Sequence, residues 1–160
     1  MGSEMCIRDS LKRGGLPEQK LLELYFAMIR SAVEYSSIVY HSMIPNHLSE
    51  KLERIQRQAL RIIYGWNTDI ATLMEVKNIS TLEERRKKAL LNFALKNEHT
   101  EKYGKRWFKP AQQSTRDIRN STKEKYSIPF CRTDRLRNNP VTQMTLLLNE
   151  HYKELSLIHI

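Results

Sequence analysis

The chain has 160 residues, with 27 Lys and Arg against 18 Asp and Glu, which gives a formal net charge of +9. This length fits one domain or part of one, and the apolar fraction of 40% suffices for a modest helical core. The excess of positive charge favours a polyanion as partner, most often nucleic acid. No apolar run is long enough to span a bilayer, so no membrane partner is expected.

Cysteine usage predicts a protein without a disulfide framework. Cys6 and Cys131 do not form a spaced pair, so a Cys-type zinc site is not expected either. The N-terminus lacks the apolar core of a signal peptide. We therefore expect an intracellular protein of the nucleus or cytoplasm that needs no cofactor.

Both ends of the chain look like translated adaptor sequence from a sequencing library. Met5 to Ser10 can be back-translated as ATG TGT ATA AGA GAC AGx, and Leu155 to Ile160 as CTG TCT CTT ATA CAC ATC. These two strings are reverse complements and match a transposase mosaic end. We therefore expect an open reading frame truncated on both sides, and exclude both segments from functional argument.

The first predicted helix begins near Pro17, which suits a first helical turn, and ends near Glu34 or Tyr35. From Tyr35 to Met43, helix continuation and extended chain compete. A helix or helical turn is favoured, because an isolated strand would have no partner run nearby. The first helix presents a broad apolar face made of Leu21, Leu22, Leu24, Tyr25, Met28, Ile29, Ala32 and Val33.

Residues Leu48 to Gly65 are predicted to form one amphipathic helix. Asn46 or Ser49 can cap its start, and Gly65 suits the left-handed position just past its end. Its polar side is strongly basic, with Lys51, Arg54, Arg57 and Arg61 on faces away from the apolar stripe. That stripe recurs at helical spacing and consists of Leu48, Leu52, Ile55, Ala59, Ile62 and Ile63.

Two further helices follow. A short one is predicted from Asp69 to Val76, and Asn78 can end it. The next has two alternative capping boxes, Ser80 with Glu83 or Thr81 with Glu84. Its predicted stripe is Leu82, Ala89, Leu90, Phe93 and Ala94, and its first half carries the basic block Arg85, Arg86, Lys87 and Lys88.

The remainder is predicted to be a polar linker and a basic tail. Thr100 to Lys125 is charged and poor in aliphatic residues, which is typical of a mobile segment. Asn139 and Pro140 form a cap and first-turn pair for a last helix that ends by Tyr152. Trp107, Phe108 and Pro110 can dock onto the core, and a third basic set consists of Arg132, Arg135 and Arg137.

The predicted fold is therefore all-α, a small irregular bundle of about five helices with a polar linker and an arginine-rich tail. We expect an adaptor-like N-terminus at 1–15, a helical core at 16–99 and the linker at 100–127. A basic segment with the C-terminal helix follows at 128–152, and an adaptor-like end at 153–160.

No enzyme constellation is present. The sequence has no clustered acidic trio for two metal ions, no glycine-rich phosphate loop and no nucleophile elbow. No histidine is paired at metal-ligand spacing. Glu98-His99 and Glu150-His151 recur in similar contexts, which we interpret as composition rather than a site. We expect no catalytic residue, no metal and no small-molecule substrate.

The three basic sets are the candidate nucleic-acid contacts. Such cations grip phosphates and carry little sequence information. A solvated helix face is the simpler alternative for each set. Trp66, Trp107 and Phe108 could stack on bases, although aromatic side chains more often anchor helices to one another.

The helix LERIQRQALRIIYG resembles the segment downstream of the polymerase core in non-LTR retrotransposon reverse transcriptases of the LINE-like, jockey/CR1 type. The match comprises Leu52, Glu53, Arg54, Ile55, Gln56, Arg57, Ala59 and Gly65. Three other pieces resemble the same family in the same order, and together they cover most of residues 16–152. These pieces are LLELYFAMIRSAVEYSSIVY (Leu21 to Tyr40), STLEERR (Ser80 to Arg86) and CRTDRLRNNPVTQMTLLLN (Cys131 to Asn149).

This resemblance implies the non-catalytic thumb-side and C-terminal region of an RNA-directed DNA polymerase. Such a region would hold template RNA or an RNA–DNA duplex through phosphates, beside a polymerase domain that this chain lacks. One alternative is a helical docking module that binds that domain through the stripes Leu48–Ile63 and Leu82–Ala94. Another is a pseudogene-like fragment with no selected function.

Overall fold

The computed structural model describes residues 14–111 and 124–158. Within these ranges the chain is all-α: it has no β-strand, and an isolated antiparallel bridge pairs Pro110 with Tyr126. Five of the described α-helices have seven residues or more, as the sequence predicts. In chain order the helices are α1 (Glu18–Leu24), α2 (Ser31–Glu34), α3 (Ser37–Tyr40), α4 (Asn46–Tyr64), α5 (Ile70–Val76), α6 (Leu82–Asn97), α7 (Gly104–Trp107), α8 (Asp134–Arg137) and α9 (Pro140–Ile158), with a π-helical segment at Tyr25–Arg30 between α1 and α2.

The described residues form two compact units, and α6 contributes to both. The first unit holds residues 14–35 and Pro45–Arg85, and the second holds Ser36–Ile44 with residues 86–111 and 124–158.

This division differs from the predicted single core at 16–99. Residues 100–111 and 124–127 of the predicted linker belong to the second unit, where Phe108 is only 3% exposed. Residues 1–13, 112–123 and 159–160 lie outside the described part of the chain. The adaptor-like Met5–Ser10 and the middle of the predicted linker therefore keep the status of predictions. The last helix, predicted to end by Tyr152, continues to Ile158, into the adaptor-like end predicted at 153–160.

Two predicted helix starts, those of α6 and α9, are capped as expected, and the start of α5 has a cap that was not predicted. At α6 the Thr81 hydroxyl accepts from the Glu84 N–H (3.2 Å), and the Thr81 N–H donates to the Glu84 carboxylate (3.3 Å). This is the second of the two alternative capping boxes. The Asn139 side chain accepts from the Val141 N–H (2.9 Å) at the start of α9. At α5 the Asp69 carboxylate accepts from the Ala71 N–H (3.2 Å).

The two ends of α4 differ in how well they were predicted. Pro45 occupies the cap position, so neither Asn46 nor Ser49 caps this helix. At the other end Gly65 has a φ of +104°, which glycine adopts without steric cost. The left-handed cap predicted at this glycine is confirmed only in the sign of φ, because its ψ of 159° is extended rather than αL.

The buried face of α4 is rotated from the predicted stripe. Leu60 and Gln56 are fully buried at its centre, whereas Leu48 and Ile55 are each 39% exposed. Apolar residues occur on several faces of this helix, so periodicity alone left the rotation open. The core of the first unit consists of Leu22, Tyr25, Ala59, Leu60, Ile63, Ile70 and Ile79.

The predicted apolar face of the first helix is only partly buried. Leu22 and Tyr25 lie in the core, but Leu24, Met28 and Ile29 are 40%, 67% and 45% exposed. The helical run continues through the π-helical segment to Glu34, where we expected it to end. A π turn changes the angle between successive side chains, so a stripe drawn at α-helical spacing does not stay on one face across it.

The second unit has its own core. Phe108 and Tyr126 pack with ring centroids 5.7 Å apart, and Trp107 is half-buried beside them. Trp107 and Phe108 thus anchor the chain to this core rather than present a face for stacking on a base. The buried cluster consists of Leu90, Ala94, Phe108, Tyr126, Met144 and Leu148.

Candidate nucleic-acid interface

The four predicted phosphate contacts of α4 lie on one exposed side of the helix, which we call the basic face. Lys51, Arg54, Arg57 and Arg61 follow one another at spacings of three and four residues, and all four are exposed. Side chains at these spacings are neighbours on a helix surface. Across residues 14–111 and 124–158, no carboxylate oxygen lies within 4.0 Å of their side-chain nitrogens. Their charges are therefore accessible to an anion from solvent.

An exposed tryptophan lies at the end of the basic face. Trp66 is the second residue after the C-terminus of α4, and it is 58% exposed. It lines a shallow depression of about 250 Å³ together with Arg54, Arg57, Gln58 and Arg61. The depression therefore combines three guanidinium groups with one indole ring.

Glu53 fixes α4 against the start of α6. Its carboxylate accepts hydrogen bonds from the backbone N–H groups of Leu82 (3.3 Å) and Glu83 (2.8 Å). These are the N–H groups at a helix start, which lack partners within the helix and favour a negative charge. The acid of the LERIQR motif thus caps a helix almost thirty residues downstream.

Gln56 makes the second connection at this place. It is completely buried, accepts from the Tyr25 hydroxyl (3.0 Å) and donates to the backbone carbonyl of Ser80 (3.1 Å). Burial raises the pKa of Tyr25 to about 12, so the hydroxyl keeps its proton as a donor. We call the Glu53 and Gln56 bonds to residues 80–83 the clasp. It holds the helix that carries the basic face.

Replacing Glu53 by Ala should destabilise the first unit by about 1 kcal/mol, the usual cost of losing a helix cap. Urea unfolding monitored by far-UV circular dichroism measures this. Glu50→Ala is the matched control, because Glu50 lies on the same helix, is exposed and makes no such bond. Equal stability of the two variants would contradict the capping role.

The basic block of α6 is not one surface. Arg85 forms an ion pair with Glu34 through Nε and through Nη2 (3.0 Å), and this hydrogen bonding raises the pKa of Arg85. Arg86 is 1% exposed, so it does not present its guanidinium to a phosphate in solution. Successive helix residues point in different directions, and four in a row cannot share a face. Arg86 is therefore corrected from a predicted surface contact to a buried side chain.

The other predicted contacts belong to the second unit and are exposed. The Lys87 ammonium lies 3.5 Å from the Glu150 carboxylate, which offsets part of its charge. Lys88 is exposed within the same helix. The third set lies on and beside the short helix α8, where Arg137 is 3.9 Å from Asp134. Its members, all exposed, are Arg132, Arg135 and Arg137.

Positive charge is unequally divided between the units. The described residues of the first unit include eight Lys and Arg and nine Asp and Glu. The described residues of the second unit include thirteen Lys and Arg and six Asp and Glu. The basic face of α4 is therefore a local arrangement in a unit of balanced charge, whereas the second unit is basic as a whole.

A buried carboxylate in the second unit was not predicted from the sequence. The Glu98 side chain is 1% exposed and accepts from Lys125 Nζ (2.8 Å), the Tyr152 hydroxyl (2.7 Å) and the Tyr126 hydroxyl. Burial alone would raise the pKa of Glu98, but the hydrogen bonds from Lys125 and the two tyrosines outweigh it and lower the pKa. The carboxylate is thus held as an anion with its oxygens engaged, which suits a structural role.

This network ties the chain at residues 124–127 to the two long helices of the unit. The Tyr126 N–H donates to Asn149 Oδ1 and the Asn149 amide donates to the Tyr126 carbonyl, both at 2.9 Å. A signal for Glu98 exists in the sequence. It follows Leu90 and Ala94 at intervals of four residues, so it continues the buried stripe of α6. Its neighbour His99 is 84% exposed.

The described residues show no metal-binding group of three or more His, Cys, Asp or Glu side chains. A cavity of about 650 Å³ in the first unit has a mixed lining that includes Glu50, Glu53 and Arg57. Within the part of the chain that the structure describes, none of the helices has the length and apolar character needed to cross a membrane.

The interface assembled by the first unit is thus a basic helix face ending at an exposed indole, supported by the clasp. No protein-family model, no curated protein and no solved structure matches this chain.

Proposed function

We propose that this chain holds nucleic acid through phosphate contacts of the α4 basic face. It would do so as the non-catalytic, thumb-side and C-terminal region of a non-LTR retrotransposon reverse transcriptase. One observation carries the proposal: four cations share one exposed helix side, with no described carboxylate within 4.0 Å. Phosphates bound there would displace only water and counterions, which is the basis of sequence-independent binding.

The clasp joins two of the four pieces that resemble the reverse transcriptase family, because Glu53 and Gln56 of LERIQR bond to the backbone of STLEERR. The two pieces therefore form one structural unit. Genomic sequence upstream of this reading frame tests the family: an aromatic-x-Asp-Asp motif in frame is expected, and its absence would count against a polymerase parent.

Binding of a fluorescent RNA, measured by anisotropy across a salt series, tests the nucleic-acid function. We expect weak binding that falls steeply with salt. Each phosphate contact to single-stranded RNA contributes about 0.7 to the slope of log K against log salt. The triple variant Arg54→Gln, Arg57→Gln and Arg61→Gln should therefore lower that slope by about 2.

A charge-matched triple variant controls for overall charge. Lys96, Lys105 and Lys109 are exposed in the second unit, and their replacement by Gln changes the net charge by the same amount. This variant should leave most of the slope in place. Equal losses in both variants would show diffuse attraction to the whole chain, and would reject α4 as the interface.

The docking alternative rests on a different surface from the one predicted. Ala59, Ile63, Leu82 and Ala94 of the two predicted stripes are buried within the chain itself, so these stripes are not available as they stand. The exposed apolar side chains of the first helical run, with Met28 at 67%, would be the docking surface instead. Absent or salt-insensitive RNA binding would favour this alternative.

A further inference from the structure

We infer that the α4 interface takes a single-stranded segment, with an unpaired base stacked on the Trp66 indole and the adjoining phosphates on Arg54, Arg57 and Arg61. This inference rests on the proposed function and goes further by naming the form of the nucleic acid. It follows from the position of one exposed aromatic ring at the end of a row of guanidinium groups.

The length of the row sets how many phosphates it can contact. From Arg54 to Arg61 a helix advances about 10 Å, at about 1.5 Å per residue. Phosphates of one strand in a stacked helix are about 3.4 Å apart along its axis. The row therefore spans about three such intervals, so the three arginines lie along about four consecutive phosphates, and the chain that continues past Arg61 reaches Trp66.

The depression suits one base better than a larger ligand. Its volume of about 250 Å³ is below the range of roughly 300 to 1,000 Å³ found for sites that enclose drug-sized molecules. A flat ring can lie against the indole while its sugar and phosphate remain over the arginines. Aromatic stacking of this kind tolerates any base, because every base has a π face.

A duplex cannot use this arrangement fully. Paired bases inside a helix are covered on both faces by their neighbours, so only phosphates would be contacted. Trp66 would then contribute little. Single strands should therefore depend on Trp66, and duplexes should not.

Fluorescence of Trp66 tests this directly. Trp66 and Trp107 are the two tryptophans of the chain, so in the Trp107→Phe variant all tryptophan fluorescence comes from Trp66. We expect a short oligouridine to quench that signal as it binds, and a short RNA duplex to bind without comparable quenching. Circular dichroism checks that the variant is folded.

A second measurement does not depend on the Trp107 variant. In the otherwise unchanged chain, Trp66→Leu should weaken oligouridine binding about thirtyfold, the middle of the range for losing one stacked base. The same substitution should leave the dissociation constant for the duplex within about twofold of that of the unchanged chain. The readout is fluorescence anisotropy of the labelled RNA.

The outcomes separate the two proposals. Binding of both RNAs without quenching, or an equal loss for both in Trp66→Leu, would overturn the stacking inference and leave the phosphate interface standing. Absence of binding to either RNA would overturn the proposed function and the inference together.

Discussion

Replacing Glu98 by Ala should lower the free energy of unfolding of the second unit by about 3 kcal/mol. The substitution leaves the two tyrosine hydroxyls and Lys125 without their shared acceptor, and the Tyr126 hydroxyl is buried with it. Losing the shared acceptor is costly because a buried donor is left without a hydrogen bond, whereas Lys125, 40% exposed at its side chain, can be hydrated instead. Urea unfolding followed by Trp107 fluorescence, in a Trp66→Phe background, reports on this unit.

Two companion variants make the Glu98 result specific. Glu101 is in the same unit and 89% exposed at its side chain, so Glu101→Ala should change stability by no more than about 0.5 kcal/mol. The loss of stability in Glu98→Gln should lie between those of Glu98→Ala and Glu101→Ala, because an amide oxygen still accepts a hydrogen bond from a tyrosine. If Glu98→Ala behaved like Glu101→Ala, the network would have no role in stability.

The same network gives this prediction a pH signature. The pKa of Glu98 is lowered in the folded chain, so its contribution is present above the ordinary value of 4.5 and is lost as the pH falls through the lowered pKa. The contribution of Tyr126 to stability has the opposite pH dependence, because burial and its bond to Glu98 raise its pKa to about 12. This contribution to stability is complete below pH 10 and is lost as the pH rises toward 12. Glu98→Ala should flatten the acid limb of the stability profile.

Leu60→Ala should destabilise the first unit by about 3 kcal/mol. Leu60 is completely buried at the centre of the α4 face that packs into the core. Truncating a buried leucine loses its transfer free energy and leaves a cavity, at a cost of about 2 to 5 kcal/mol. The free energy of unfolding, measured with urea and circular dichroism, gives the value.

Ile55→Ala is the comparison that decides where the core face lies. Ile55 belongs to the stripe predicted from periodicity but is 39% exposed, so its truncation should cost about 1 kcal/mol or less. A larger loss at Ile55 than at Leu60 would restore the predicted stripe and contradict the structure.

Local signals in the sequence predicted local structure well. The Thr81–Glu84 box, the Asn139 cap and the positive φ of Gly65 each depend on residues within a few positions of one another. Such hydrogen bonds and steric limits act before any tertiary contact forms. The all-α class followed from these signals together with helical periodicity, and the structure confirms it.

Features that depend on distant residues were missed. The rotation of α4 places Gln56 inside the core, where Tyr25 and Ser80 satisfy its amide, and no periodicity argument buries a glutamine. Glu98 is held by Lys125 and Tyr152, 27 and 54 residues away. In the candidate site the exposure of α4's cations followed from the sequence. The burial of Arg86 and the exposure of Trp66 required the packed structure.

The clasp between α4 and the start of α6 has an unequal tolerance to sequence change at its two ends. Glu53 and Gln56 contribute side chains, whereas residues 80, 82 and 83 contribute only backbone N–H and C=O groups. A backbone group stays in place when its side chain is replaced. A variant of this chain can therefore change the side chain at 80 or 83 and keep these bonds, whereas loss of the carboxylate at 53 or of the amide at 56 removes the bonds that this side chain makes.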